Sequence, residues 1–168
     1  MVGRSGGLDS SQRAAFERDG CVILRQFASA TDASAILDAA VGLARREAVE
    51  SDTASDRPFV LPEANLRDVE VTNSEEAVSK VFRVHREEPF RSFATRPDLL
   101  DTVARLLGTD ALSCFLSQFI FKNPGAWGQP CHQDSFYFPF TPMRPVVGVW
   151  LACTDATLEN GCLWVGAR

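Results

Sequence analysis

The sequence predicts an α+β or mainly-β domain whose helices pack outside a sheet. Apolar residues recur at helical spacing as far as Gly108 and alternate with period 2 beyond it, with no internal repeat or low-complexity tract. The 168 residues, 45% hydrophobic and 23% charged, are typical of one globular domain. We expect residues 1–10 to form a disordered N-terminus and residues 11–168 to form the domain.

Charge and composition exclude several functional classes. Lysine and arginine number 17 against 22 acidic residues, and the net charge of −5 lacks the basic footprint of a nucleic-acid-binding protein. We find neither an apolar run of the ~20 residues that a membrane span needs nor a signal-peptide core, and therefore expect no membrane association and a cytoplasmic location. The five cysteines are odd in number and widely spaced, so we interpret them as small buried hydrophobes in a reducing cytosol.

Three helices are predicted from caps and apolar spacing. The first is expected over 12–19, with Ser11 as its cap and Gly20 as its stop. The second begins after Ser29 or Thr31, and the third runs from Pro97 to Gly108. Their apolar positions are Ile36, Ala40 and Leu43 in the second helix and Leu100, Val103 and Leu107 in the third.

Apolar runs predict the strands. Residues 50–73 show no sustained hydrophobic period and are predicted to be loop, although the apolar residues 59–61 could pack against the rest of the domain. Residues 74–80 are expected to form a helical turn. One short buried strand is predicted at 21–24. Three strands of the sheet are predicted further along the chain: a long one at 112–122, one at 146–153 and one that starts at 162–165.

The sharpest chemical feature is His132-Gln133-Asp134, which follows a Pro- and Gly-rich segment. Residues i and i+2 of an extended segment share a face, so the imidazole and the carboxylate can converge on one point. Such a pair is two-thirds of the 2-His-1-carboxylate triad that holds non-haem Fe(II). The alternative is a histidine hydrogen-bonded to a neighbouring aspartate beside a turn.

Three further residues suggest a pocket. Gln118 interrupts an apolar strand face, so its amide should face a wet cavity or a ligand, unless it bonds a neighbouring strand edge. Trp150 alternates with Gly148 and Ala152, a pattern typical of a pocket wall but equally of a packed core. Lys80 is either part of this pocket or a solvated surface lysine.

These residues lie within segments that resemble the phytanoyl-CoA dioxygenase family. The resemblance covers nearly the whole chain, from FERDGCVIL (16–24) through IFK (120–122), PCHQD (130–134) and VGVW (147–150) to DATLENGCLW (155–164). It implies a double-stranded β-helix core of the jelly-roll or cupin type and a dioxygenase that uses Fe(II), O₂ and 2-oxoglutarate, with ascorbate as an optional reductant. The substrate would be an acyl-CoA or another small metabolite.

The resemblance also implies the residue roles. His132 and Asp134 would be iron ligands, and Lys80, Gln118, Gln133 and Trp150 would line the 2-oxoglutarate site, with Gln118 standing where relatives have Met. A lysine ammonium can pair with a carboxylate, amides can donate to one, and an indole can wall a planar ligand.

The sequence departs from the family after Trp164. The family continues with strands that carry a second iron-binding His and an Arg that grips 2-oxoglutarate. The histidine at 85, interpreted as an exposed helix or loop residue, and the terminal Arg168 are poor substitutes. We therefore expect an incomplete barrel in a C-terminally truncated member: a short isoform, a damaged gene copy or an incomplete gene model. It would be impaired alone, active through a partner, or a non-catalytic module that binds another chain or oligomerises through an exposed sheet edge.

Overall fold

The computed structural model describes residues 7–47, 56–138, 140–142 and 144–166. Helices together with a small antiparallel sheet agree with the predicted α+β class. The elements, in chain order, are α1 (Ser10–Asp19), α2 (Ala30–Glu47), β1 (Phe59–Pro62), β2 (Val78–Phe82), α3 (Phe90–Ala94), α4 (Pro97–Leu107), β3 (Gln118–Ile120) and α5 (Asp134–Tyr137). Short 3-10 turns lie at Ala64–Leu66, Ser74–Ala77 and Val84–Arg86.

Helix α1 begins with a reciprocal cap. The Gln12 backbone N–H donates to Asp9 Oδ1 at 2.8 Å, and the Asp9 N–H donates to Gln12 Oε1 at 2.9 Å. The cap is therefore Asp9, and not Ser11 as the sequence suggested. Gly20 ends the helix at φ 76°, as predicted.

Helix α2 has the same kind of start. The Asp32 backbone N–H donates to Ser29 Oγ, and the Ser29 N–H donates to Asp32 Oδ2, both at 3.0 Å. Of the two predicted caps, Ser29 is thus the one that forms. The predicted apolar face is buried, and it consists of Ile36, Ala40 and Leu43 together with Ala44.

Strands β1, β2 and β3 form one antiparallel sheet in that order, and β2 is the central strand. Residues paired across such a sheet share a face, and successive residues alternate between faces. The middle row is Val60–Val81–Phe119, and the rows on either side of it are Phe59–Phe82–Gln118 and Leu61–Lys80–Ile120. The middle row packs in one core cluster with α2, and Val81 is 0% exposed. The two flanking rows lie on the opposite face of the sheet.

The strand predictions were only partly right. Residues 112–122 form regular strand only at β3, because β2, which supplies the ladder, is five residues long. Within the described residues no strand forms at 21–24, 146–153 or 162–165, and Ile23 is 76% exposed. An apolar run does not by itself supply the neighbouring backbone that a strand must bond. The double-stranded β-helix is therefore not seen in this part of the chain.

Two further segments differ from the predictions. The predicted loop 50–73 contains β1, which pairs with β2 although its alternation is too short to read from sequence, and residues 50–55 lie outside the described residues. The predicted turn at 74–80 is helical only at Ser74–Ala77, and Lys80 is a strand residue.

Helix α4 confirms its predicted bounds, with Pro97 in the first turn and Gly108 at φ 68° after the last. Its buried positions are Leu99 and Thr102, while Leu100 is exposed. The five cysteines are free, but Cys114 and Cys131 are exposed because the segments that carry them do not enter the core. Among the described residues, no helix is long and apolar enough to cross a membrane.

Candidate functional site

The candidate site begins on the face of the sheet that α2 leaves open. Lys80 and Gln118 lie on this face as diagonal neighbours, because Lys80 pairs with Ile120 and Gln118 pairs with Phe82. Lys80 is half-buried, and Gln118 is exposed. The sheet register therefore brings together two residues that sequence analysis had assigned to one pocket.

Lys80 lies near one neutral amide, Gln129, and two charged groups, Lys122 and Asp134. Its ammonium Nζ donates to Gln129 Oε1 at 3.3 Å. Burial lowers the pKa of Lys80, the Lys122 ammonium lowers it further, and the Asp134 carboxylate acts in the opposite direction. Two cations and one carboxylate thus converge beside the open face of the sheet.

A tight turn leads from the sheet to the predicted metal ligands. Pro124 and Gly125, the latter at φ 83°, occupy its centre, and the Ala126 N–H donates to Asn123 O at 3.0 Å. Pro followed by a glycine at positive φ is the preferred pair for a type II turn. After this turn the chain returns to β2, where Gln129 contacts Lys80.

His132 and Asp134 converge, as predicted. His132 Nε2 lies 3.4 Å from Asp134 Oδ1, and His132 Nδ1 lies 2.8 Å from the carbonyl oxygen of Pro130. The Tyr137 ring meets the imidazole edge-on, with 5.2 Å between ring centroids. The backbone differs from the predicted extended segment, since Gln133 is extended but Asp134 begins α5.

The Pro130 contact determines which nitrogen of His132 is free. A carbonyl oxygen can only accept, so Nδ1 carries the hydrogen, and Nε2 of the neutral ring presents a lone pair toward Asp134. Two electron-pair donors that face each other at 3.4 Å repel unless a proton or a cation lies between them. A backbone carbonyl bonded to the second nitrogen is also the usual support of a metal-binding histidine.

The other predicted site residues are placed less closely. Gln133 is an exposed residue at the N-terminus of α5, and its backbone oxygen accepts from the Phe136 N–H. A methyl group on Gly148 would lie 3.9 Å from Asp134 Oδ2, so the segment that carries Trp150 passes beside the carboxylate. The Trp150 side chain is 51% exposed.

The second histidine has a structural role at the far end of β2. His85 lies in a 3-10 turn and is half-buried, so its interpretation as an exposed residue was wrong. Its ring Nδ1 lies 2.6 Å from Ser117 Oγ, which also accepts the His85 backbone N–H at 3.0 Å. Burial and the Arg86 guanidinium lower the pKa of this imidazole. The pair joins the end of β2 to the start of β3.

Sequence analysis missed three residues of the site: Lys122, Gln129 and Tyr137. Lys122 continues the period-2 row of Gln118 and Ile120, so the signal was present in the sequence. Gln129 reaches Lys80 across 49 positions of chain, and local pattern cannot reveal such a contact. Within the described ranges, no group of three His, Cys, Asp or Glu side chains is arranged to hold a metal ion.

Comparison with known proteins identifies the family. A sequence model of the phytanoyl-CoA dioxygenase family matches residues 16–166, and the chain belongs to this family. Phytanoyl-CoA dioxygenase domain-containing protein 1 of Bos taurus is 35% identical over 92 residues, which are 54% of this chain and 32% of that protein. The Rattus norvegicus protein of the same name is 37% identical over 93 residues, again 54% and 32% of the two chains.

A plant relative extends the comparison. The Arabidopsis thaliana protein named phytanoyl-CoA dioxygenase is 35% identical over 82 residues, 48% of this chain and 29% of that protein. The matched part thus spans about a third of the length of the curated relatives. The resemblance to the phytanoyl-CoA dioxygenase family that was inferred from the sequence is confirmed.

Proposed function

We propose that the chain forms the Fe(II)- and 2-oxoglutarate-binding part of a dioxygenase that hydroxylates a small metabolite, such as an acyl-CoA. The observation that carries this proposal is the 3.4 Å approach of His132 Nε2 to Asp134 Oδ1, with the lone pair of Nε2 exposed by the Pro130 contact. An imidazole nitrogen and a carboxylate oxygen are the donor types that non-haem Fe(II) sites use. The pair fits two positions of a facial triad.

The chain's own residues would bind and orient the reactants. Lys80 supplies a half-buried cation for a carboxylate of 2-oxoglutarate, and the amides of Gln118 and Gln133 supply further donors. Trp150 would form a wall of the site. When bound, Fe(II) and 2-oxoglutarate would supply the activation of O₂ that oxidises the substrate, with ascorbate as an optional reductant. In the proposed mechanism the protein holds these groups together.

The resemblance assigns the third ligand and the carboxylate-binding Arg to further strands of a jelly-roll core. A polypeptide of these 168 residues has only His85 besides His132, and Ser117 already holds His85. Such a polypeptide should release succinate slowly by itself and faster with a partner that supplies the missing groups. Sustained metal-dependent succinate release by the isolated polypeptide would contradict this part of the proposal.

A second candidate is a non-catalytic module that binds another chain or oligomerises. The observation that favours it is the exposure of large apolar side chains in the segment that follows the site, where Leu158 is 74% and Trp164 73% exposed. In the sheet of the described residues, β1 and β3 each pair on one side only. This candidate predicts no binding of 2-oxoglutarate, whereas the dioxygenase requires it.

Anaerobic titration separates the two candidates. Adding 2-oxoglutarate to the protein with Fe(II) should produce the visible charge-transfer absorption of an Fe(II)–2-oxoglutarate chelate. His132→Ala should abolish this absorption, and His85→Ala, which removes the other histidine, should keep it. A spectrum that is the same in wild type and His132→Ala would overturn the proposed ligand, and absence of the band from wild type would favour the binding module.

A further inference from the structure

The side chain of Asn123 joins the loop that leads to the metal ligands to the turn before β2. Its amide Nδ2 lies 2.8 Å from the carbonyl oxygen of Glu75, 3.0 Å from that of Glu76 and 3.3 Å from that of Val78. Two amide hydrogens therefore serve three backbone acceptors. Asn123 is half-buried, so these bonds are partly shielded from water.

The contact continues the sheet at a point where the backbone cannot. The ladder between β2 and the chain after β3 reaches the Phe121 N–H, which donates to Ser79 O at 2.9 Å. Pro124 has no N–H, so backbone pairing cannot extend through it. The side-chain amide of Asn123 donates instead, one residue before Pro124. The backbone carbonyl of Asn123 closes the following turn by accepting from the Ala126 N–H.

The turn that receives Asn123 is fixed from its other side. Glu75 forms a two-pronged ion pair with Arg45 of α2, with distances of 2.5 and 2.9 Å, and its side chain is only 13% exposed. The Arg45 hydrogen bond lowers the pKa of Glu75, so this carboxylate is charged at neutral pH. Asn123 therefore attaches the loop to a turn that α2 already holds.

Other contacts between this loop and its neighbours are longer or more exposed. Asn65 Nδ2 lies 3.5 Å from Gly125 O, and the Lys80–Gln129 contact is 3.3 Å and exposed. The contacts that orient His132 come from Pro130 and Tyr137, which lie within the same segment, residues 130–137, as the two candidate ligands. Asn123 thus acts on where this segment lies against β2, and not on the internal geometry of the ligand pair.

We propose that Asn123 is a positioning residue that sets the placement of the His132–Asp134 pair relative to Lys80. A single 2-oxoglutarate must reach both the metal and Lys80, so its affinity depends on that placement. Binding of a metal ion alone depends on the pair and not on the placement. This inference rests on the proposed function, because it concerns the same site.

Calorimetric titration measures the metal affinity and the 2-oxoglutarate affinity separately. The protein is titrated first with Mn(II), and the Mn(II)-loaded protein is then titrated with 2-oxoglutarate. For Asn123→Ala we expect an Mn(II) Kd within about twofold of wild type and a 2-oxoglutarate Kd raised about tenfold. Asn123→Asp should weaken 2-oxoglutarate binding more, since its carboxylate would face three carbonyl oxygens, and Asn123→Ser, which keeps one donor, should recover part of the loss. The matched control is Asn73→Ala, which removes a bond to Glu76 of the same turn but does not touch the loop.

The metal-free protein gives a second readout. Amide hydrogen exchange of residues 126–134 should accelerate in Asn123→Ala and not in Asn73→Ala. Unchanged 2-oxoglutarate affinity in Asn123→Ala would overturn this inference but not the proposed function. The same holds if the Mn(II) and 2-oxoglutarate affinities fall equally and the melting temperature falls with them, since that would show general destabilisation. A wild-type protein that binds neither ligand would overturn the proposed function and the inference with it.

Discussion

The two sides of β2 differ in how they are covered. On one side Val81 is 0% exposed and packs with α2, whereas on the other Lys80 faces loops that hold the candidate ligands. Residues 144–166, which follow those ligands, contain no helix or strand, and Trp164 is 73% exposed. The difference shows that burial of apolar side chains stabilises the helix-covered side. Turns and side-chain hydrogen bonds hold the candidate ligands on the open side.

The largest expected effect lies on the helix-covered side. Leu43→Ala removes a buried side chain from α2 and should lower the free energy of unfolding by about 2–5 kcal/mol, because it leaves a cavity against the sheet. The same truncation at exposed Leu158 should change it by no more than about 0.5 kcal/mol. Urea unfolding followed by circular dichroism measures both, and equal losses would show that the two regions are packed alike.

The next effect concerns ligand binding on the open side. Lys80→Met keeps the apolar stem and removes the charge, so 2-oxoglutarate affinity should fall by the ~1.5–3 kcal/mol of a hydrogen bond to a charged group. Lys122→Met should change the affinity by less than about threefold, because Lys122 is more exposed and acts on Lys80 only through its charge. Calorimetry on the Mn(II)-loaded protein distinguishes the two lysines. A larger loss for Lys122→Met would assign the carboxylate to the other cation.

A smaller effect is expected from pH at the junction of the two regions. The Arg45 hydrogen bond lowers the pKa of Glu75 below its ordinary value of 4.5, so the pair contributes its full stability above that value and loses it as pH falls through the lowered pKa. Glu75→Gln should therefore cost about 1 kcal/mol or less at neutral pH. The cost should shrink as the pH falls below 4.5 and vanish once the pH lies below the lowered pKa, in thermal melts compared with exposed Glu159→Gln. A pH-independent difference would mean that packing, and not charge, explains it.

Sequence reasoning worked where the signal is local. The stripe of Ile36, Ala40 and Leu43 and the stop at Gly108 are written within single helices, and both are confirmed. The strand prediction at 146–153 was wrong because strand pairing depends on distant backbone, and β1 was missed because its four residues are too few to show a period.

The candidate site shows the same division. The convergence of His132 and Asp134 follows from a spacing of two residues, and the structure retains it even though Asp134 begins a helix. Lys80 reaches this neighbourhood only through the register of β2 with β3 and its contact with Gln129. No local pattern encodes the register, so the sequence alone could not place Lys80 beside the pair.

The most direct test of the site is a calorimetric titration of the protein with Mn(II), a stable substitute for Fe(II). With two protein ligands, His132 and Asp134, we expect weak binding that Asp134→Ala abolishes. Asp110→Ala, which truncates an exposed aspartate between α4 and β3, should leave binding unchanged. Tight Mn(II) binding that persists in Asp134→Ala would contradict the account, since the metal would then be held elsewhere.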